Sequence, residues 1–380
     1  MLQTMQAAII GAGFIGRVHA RALRLLGIRL AGVVASTPAR SHAAARELNA
    51  ERTFDDATAL IQDPGVDVVH VCTPNHLHRP MVELAIAAGK HVVCEKPLGV
   101  SGAEAAALMA LAKDAGVVAA VPFAYRYHPM ARQARAMALS GALGQIHLIH
   151  GSYLQDWLLS PGDSNWRVDA SLGGESRAFA DIGSHWCDLA EWASGERIAE
   201  LIAITDIVRP QRVAVSRQTF EHAGPVREPT MHQVTTEDLA CLMFRTVENI
   251  AGTVTVSQVS AGRKNRLLIE LDGGEASLAF DQERPESLWI GYRDRGEELV
   301  RGDAILAPDA KRLSTLPPGH GQGFVDCFAA FFGDVYGAIR DGGEPRYPSF
   351  EDGLRTALLA DAVLESARAR TWVKVEPWPT

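Results

Sequence analysis

The sequence predicts two domains of different class: an α/β domain on a parallel sheet, then an α+β domain with a large open, mainly antiparallel sheet. Three observations predict this. The 380 residues are more than one compact core usually organises. From the N-terminus to about Pro122, short apolar runs alternate with helical patterns, as βα units do. From Phe123 onward the pattern changes to alternating apolar and polar residues separated by turn formers such as Asp272-Gly273-Gly274. The domains are therefore placed at 1–122 and 123–380.

In the first domain the expected strands are Ala7–Ile10, Leu30–Ala35, Asp67–Cys72, His91–Cys94 and Val117–Val121, with a weak one at Arg52–Phe54. Helices are expected at Ile15–Leu26, Ala39–Leu48, His78–Ala88 and Ser101–Ala115. The last opens on Ser101-Gly102-Ala103-Glu104, a capping-box spelling that fixes its start. In the second domain, strands are expected at Gln145–Gln155, Leu201–Val208, Asp238–Thr246, Ala251–Gln258, Leu267–Leu271 and Ala276–Phe280. The stretch Asp181–Trp192 has helical periodicity, and Arg209–Pro229 reads as a loop.

Composition narrows the function. An apolar fraction of 47% against 22% charged describes a packed globular chain. The net charge of −8 comes with no cluster of four Lys/Arg, which argues against nucleic acid or an anionic membrane as partner. Five widely spaced cysteines without a CxxC pair suit a reducing cytoplasm. Neither a secretory signal nor an apolar run of about 18 residues is expected. His19, His76, His78 and His232 lack ligand-like spacing, so no catalytic metal is expected.

At the first strand-to-helix turn stands Gly11-Ala12-Gly13-Phe14-Ile15-Gly16. Such glycines permit a tight turn, close approach of backbone to a pyrophosphate, and close helix-on-strand packing. With a strand before it and a helix after it, this loop points to a Rossmann dinucleotide-binding domain, the alternative being glycines used only for a turn. After the second strand, Ser36-Thr37-Pro38-Ala39-Arg40 offers no acidic residue for the ribose hydroxyls. Ser36, Thr37 and Arg40 could instead accept a 2′-phosphate, or Arg40 is simply solvated. The cofactor is read as NAD or NADP, with a lean to NADP or dual use.

Further motifs follow in order: Cys72-Thr73-Pro74-Asn75-His76-Leu77-His78, Glu95-Lys96-Pro97, Tyr125-Arg126-Tyr127-His128-Pro129, Gly173-Gly174, and Asp181-Ile182-Gly183-Ser184-His185. The combination resembles the Gfo/Idh/MocA oxidoreductases along most of the chain. Strand-end placement points the same way, because ligands of open α/β sheets lie outside the carboxyl ends of strands. Taken alone, Lys96 is either a charge that stabilises a developing alkoxide or a surface lysine before a turn. Asp181 and His185, one helical turn apart, are either an acid/base pair or an N-cap with a surface histidine.

The resemblance implies that Lys96, Asp181 and His185 are catalytic. It implies a dinucleotide held by the glycine loop with Thr73, Pro74, Asn75, His78, Glu95 and Lys96, and approached by Trp166 and Arg167. In Gly151-Ser152-Tyr153-Leu154-Gln155-Asp156-Trp157, aromatic and polar groups mix either as sugar sites do or as core Trp and Tyr beside a chance Gln; by similarity Gln155 and Tyr125 join Lys96, Asp181 and His185 as substrate contacts. Relatives often carry Asn where Ala124 stands, which weakens the transfer of substrate. His320 is a turn residue or a contact.

The implied activity is hydride transfer between a sugar, anhydrosugar or inositol secondary alcohol and nicotinamide C4. In it His185 takes the hydroxyl proton and Lys96 polarises the oxygen, or the two exchange roles, while Asp181 positions both. A redox glycosidase of the same fold and a non-catalytic dinucleotide sensor are the alternatives, the latter expected to have lost the triad that is present here. A homodimer or homotetramer paired through the open sheet is also implied.

Overall fold

The computed structural model describes residues 5–213, 231–302, 304–343 and 345–375. Two compact units emerge. The first comprises Met1–Ala124 and Phe324–Ala357, the second Tyr125–Gly323 and Leu358–Thr380.

The first unit runs β1 (Gln6–Ile10), α1 (Phe14–Leu25), β2 (Arg29–Val34), α2 (Pro38–Glu47), β3 (Arg52–Thr53), α3 (Ala57–Gln62), β4 (Val68–Val71), α4 (His78–Ala87), β5 (His91–Cys94), α5 (Gly102–Ala115) and β6 (Ala119–Ala120). All six strands pair in parallel in the order β3-β2-β1-β4-β5-β6. The order reverses between β1 and β4, so a crevice is expected at their carboxyl ends. Strands β1, β4 and β5 are buried nearly throughout, as a sheet covered on both faces requires. Ser101 caps α5 by accepting from the Glu104 amide at 3.3 Å, and Glu104 reaches back to the Val100 amide at 3.2 Å. Helix α3, absent from the sequence reading, buries only Leu60 and Ile61.

The second unit holds α6 (Pro129–Leu139), β7 (Ile146–Leu154), α7 (Ala170–Gly173), a π turn (Phe179–Gly183), α8 (Ser184–Ser194), β8 (Ile198–Asp206), β9 (Gln211–Val213), β10 (Met231–Gln233), β11 (Leu239–Thr246), β12 (Ala251–Ser257), β13 (Arg266–Gly273), β14 (Ser277–Asp281), β15 (Ser287–Gly291), β16 (Gly296–Val300) and α9 (Pro308–Lys311). Helices α10 (Phe324–Asp341) and α11 (Phe350–Ala369) and strand β17 (Val373–Lys374) complete the chain. Nine strands form one sheet, β16-β15-β14-β13-β7-β12-β11-β8-β17, in which β7 and β12 alone pair in parallel. Helices α6 and α8 pack on one face, where Trp186 is fully buried and donates to the Leu268 carbonyl at 2.8 Å.

Three sequence expectations are corrected. Residues 324–357 do not stay with the second domain. Helix α10 packs along α1 and buries Phe328, Phe331, Phe332, Val335 and Tyr336 in the first unit. The helix expected from Asp181 begins instead as the π turn and becomes α-helical only at Ser184. Within the expected loop from Arg209, Gln211–Val213 is a strand paired with Met231–Gln233, because Arg212 is drawn into the interior by Asp238 at 2.8 Å; the rest of that loop, 214–229, lies outside the described residues.

Candidate active site

In the first unit the glycine loop follows β1 directly. Gly11 has φ +104, and a Cβ there would lie 2.3 Å from the Cys72 carbonyl oxygen. A Cβ on Gly16 would lie 2.0 Å from the Gly11 carbonyl oxygen. Gly13 is different: its φ of −72 suits any residue, and no atom lies within 4 Å of where its Cβ would be. Packing explains the outer glycines, while the middle one faces open space. Helix α1 starts at Phe14 with no side-chain cap and no acidic residue in its first turn, leaving its dipole to attract an anion.

Thr37 caps α2, and the Arg40 guanidinium donates to the Ser36 hydroxyl at 3.1 Å, so hydroxyl and cation share one surface. At the tip of β4 the Thr73 hydroxyl is buried with no hydrogen-bond partner among the described residues. Next to it, Asn75 and Pro74 open the turn that leads into α4. An open Gly13, an uncapped helix start and an orphaned Thr73 hydroxyl at the switch point together fit a dinucleotide.

His78 and Glu95 sit deeper than a direct cofactor contact would suggest. His78 is fully buried, its Nδ1 2.8 Å from the Pro97 carbonyl and its Nε2 3.0 Å from the Thr73 carbonyl, and so ties the β4 and β5 turns together. Burial holds its imidazole below the ordinary histidine value. One Glu95 oxygen lies 3.1 Å from His19 Nε2, and the other accepts the Lys96 amide at 3.2 Å. Lys96 itself is partly exposed at the end of β5. The thiols of Cys72 and Cys94 are pushed well up by burial, and no chemistry is assigned to them.

In the second unit, Asp181 lies in the π turn and His185 in the first turn of α8. Asp181 is no N-cap: Oδ1 accepts from Arg167 Nε at 3.2 Å and Oδ2 from Gln258 Nε2 at 2.9 Å. The turn is held from below by Glu237, whose Oε1 accepts from the amides of Arg177 and Phe179 and the hydroxyl of Ser176 at 2.8–2.9 Å. Burial raises the Glu237 carboxyl despite these donors.

The His185 ring meets Tyr125 edge-on, centroids 4.9 Å apart, with Tyr153 at 6.5 Å. The Tyr125 and Tyr153 hydroxyls are 2.7 Å apart, and Asn265 binds both, donating to Tyr125 at 3.0 Å and accepting from Tyr153 at 2.7 Å. Burial pushes the Tyr153 phenol well above its ordinary value, which keeps it a donor. Gln155 also donates to Asn265 at 2.7 Å, and its own buried oxygen has no partner among the described residues. Trp166 lies under the Arg167 guanidinium at 4.4 Å, so its link to Asp181 passes through Arg167.

The predicted residues of this unit thus fall into two groups, Asp181 with Arg167 and Trp166, and His185 with Tyr125 and Gln155, and sequence reasoning missed a member of each, Gln258 and Asn265. A signal for Gln258 existed. Strands β7 and β12 run parallel with Leu154 opposite Ser257, and each is followed at once by a glutamine, Gln155 and Gln258. No comparable pattern marks Asn265, which precedes β13. His320 is exposed, and its carbonyl accepts from Arg301 at 2.8 Å. Among the described residues no group of three or more His, Cys, Asp or Glu is placed to hold a metal.

Comparison with known proteins adds to this geometry. The family model of the oxidoreductases with NAD-binding Rossmann fold matches residues 5–123, and that of the Gfo/Idh/MocA C-terminal domain matches 131–279. Levoglucosan dehydrogenase of Pseudarthrobacter phenanthrenivorans is 33% identical over 393 residues, spanning 98% of this chain and 99% of its own. A solved structure of levoglucosan dehydrogenase in complex with NADH and levoglucosan has a TM-score of 0.89 at 30% identity, over 98% of this chain and 100% of that one. An inositol dehydrogenase homolog from Azotobacter vinelandii complexed with NAD+ has a TM-score of 0.87 at 26% identity, over 98% and 97%. With family models matching both its NAD-binding and its C-terminal parts, and with its motifs seated at the strand ends, the chain belongs to the Gfo/Idh/MocA family of oxidoreductases.

Proposed function

We propose that the protein is an NAD(P)-dependent dehydrogenase acting on a secondary alcohol of a sugar, anhydrosugar or inositol. The observation that carries this reading is the cluster around Asp181 and His185, where a carboxylate held by two donors adjoins aromatic rings and amides of the kind that bind polyols. When bound, the nicotinamide supplies C4 to accept or donate hydride. His185 takes the hydroxyl proton, Asp181 orients substrate and imidazole, and Lys96 stabilises charge on the oxygen. Tyr125 and Gln155 contact the substrate; Trp166 and Arg167 contact the cofactor. A screen of monosaccharides, anhydrosugars and inositols, each with NAD and with NADP, tests the reading. Silence across that panel, with dinucleotide binding confirmed, would count against it.

The Ser36–Arg40 pair favours NADP or dual use over strict NAD preference. Arg40→Ala should weaken NADP about tenfold, a loss of roughly 1.4 kcal/mol of charge-assisted bonding, and leave NAD unchanged. Equal effects on both would remove the 2′-phosphate role.

The second unit's sheet supports a homodimer or homotetramer. Ile204 and Met243 are 66% and 54% exposed on neighbouring strands, with Trp289 and Val300 exposed towards the other edge of the same sheet. Burying such side chains contributes about 1.5–3 kcal/mol each. Ile204→Asp should lower the molar mass in light scattering towards that of one chain; a wild type that is already monomeric would end this proposal. The five free cysteines, four of them buried, fit a reducing cytoplasm, and no described helix is long and apolar enough to cross a membrane.

A further inference from the structure

Strand β4 reads Val68-Val69-His70-Val71, and its one polar side chain points into the buried interior of the first unit. There it meets His19 from α1 and Tyr336 from α10, and all three are 0% exposed. Tyr336 Oη lies 2.9 Å from His70 Nε2, His70 Nδ1 3.0 Å from His19 Nδ1, and His19 Nε2 3.1 Å from Glu95 Oε1. Glu95 Oε2 accepts the Lys96 amide, and Cys72 Sγ lies 3.3 Å from His19 Nδ1. Phe332 packs edge-on against both imidazoles, with centroids 4.9 and 4.8 Å away.

With both imidazoles neutral, the hydrogen bonds along Tyr336, His70, His19 and Glu95 can run in either of two opposite directions. In one of them Glu95 accepts with both oxygens, from His19 and from the Lys96 amide. His19 then donates from Nε2 to Glu95, and its bare Nδ1 accepts from His70 Nδ1–H. Tyr336 donates to His70 Nε2. Burial favours the neutral forms of His70, Tyr336 and Cys72: it pushes the His70 imidazole well down and the Tyr336 phenol and Cys72 thiol well up. Bonds in such a series polarise one another in a low-dielectric interior. Apolar side chains could fill the same space without the desolvation of five polar groups. The polar chain instead ends on the residue that holds the Lys96 amide.

We infer that Tyr336, His70 and His19 are positioning residues, a directed hydrogen-bond chain from α10 through Glu95 that sets the Glu-Lys-Pro turn and thereby the Lys96 side chain. This rests on the role proposed for Lys96. Outer partners of this kind govern rate more than binding, because small displacements of a reacting group weaken catalysis steeply.

Nitrogen-15 NMR of the histidine-labelled full-length protein tests the wiring without any substitution. The expected result is a neutral Nδ1–H tautomer for His70 and a neutral Nε2–H tautomer for His19; the reverse tautomers, or a doubly protonated ring, would overturn the chain. Turnover supplies the second arm. His70→Phe should lower kcat about ten- to a hundredfold with the KM for dinucleotide unchanged. His70→Asn, whose amide nitrogen can donate from the place of Nδ1, should recover most of that loss. Equal losses in both, or none in either, would reduce the chain to packing. Lys96→Met separates the two readings: if it leaves turnover intact the proposed function itself fails, whereas a dead Lys96→Met beside an unaffected His70→Phe removes only the positioning chain.

Discussion

Lys96→Met should abolish turnover, by about 10³-fold in kcat or more, while dinucleotide affinity stays within a few fold. Methionine keeps the length and much of the volume of the side chain and deletes only the charge. What disappears is stabilisation of the oxygen at the moment it becomes alkoxide-like, the kind of contribution whose removal commonly costs about 10²–10³-fold per group. Dinucleotide binding should persist because its main supports lie elsewhere, in the glycine loop, the start of α1 and the surface at Ser36 and Arg40. The β5 turn should also survive, since Glu95 accepts from the main-chain amide of position 96, not from its side chain. Steady-state kinetics and dinucleotide fluorescence titration check the two halves separately. A kcat that falls less than tenfold would take Lys96 out of the chemistry.

The second large effect divides the glycines by function. Gly16→Ala should destabilise the fold by about 1–3 kcal/mol or more, because its Cβ would overlap the Gly11 carbonyl oxygen at 2.0 Å and neither backbone can yield easily. Gly13→Ala should leave the thermal midpoint where it is, since its backbone is extended and nothing lies within 4 Å. It should nonetheless weaken dinucleotide binding tenfold or more, because a methyl group there takes the space that a pyrophosphate needs beside the α1 amides. Thermal melts with and without NAD distinguish these outcomes. If Gly13→Ala bound NAD as well as wild type, the loop would be a turn and not a phosphate cradle.

How far the sequence could be read depended on whether a signal was local. Parallel strands covered on both faces are continuous apolar runs, and His91–Cys94 and Ala7–Ile10 were legible to within a residue. The outermost strands of the second sheet were not: Ser287–Gly291 and Gly296–Val300 carry exposed Trp289 and two successive glutamates where alternation was sought. A π turn and an α-helix have similar apolar spacing over a few residues, so Asp181–Gly183, the end of the π turn, reads as the start of a helix. That α10 packs in the first unit is written in no periodicity, which says nothing about which unit supplies the other surface.

The site followed the same rule. Glycine spacing, the Glu-Lys-Pro turn and the Asp181–His185 pair are short-range patterns, and the sequence displayed them. Asn265 reaches Tyr125 across 140 positions, and Tyr336 reaches His70 across 266. Such pairs exist only once the sheet is assembled. His78 marks the boundary between the cases: its motif was visible, but its full burial between the Thr73 and Pro97 carbonyls was not.

The most direct test of the central claim is stoichiometry: NAD(P)H formed per sugar consumed, followed at 340 nm beside product analysis, for wild type and Lys96→Met. A dehydrogenase predicts one reduced dinucleotide per molecule of sugar oxidised and none with Lys96→Met. Sugar cleaved with no net reduction would make the protein a redox glycosidase, and dinucleotide bound with no sugar consumed would make it a sensor; either result contradicts the account.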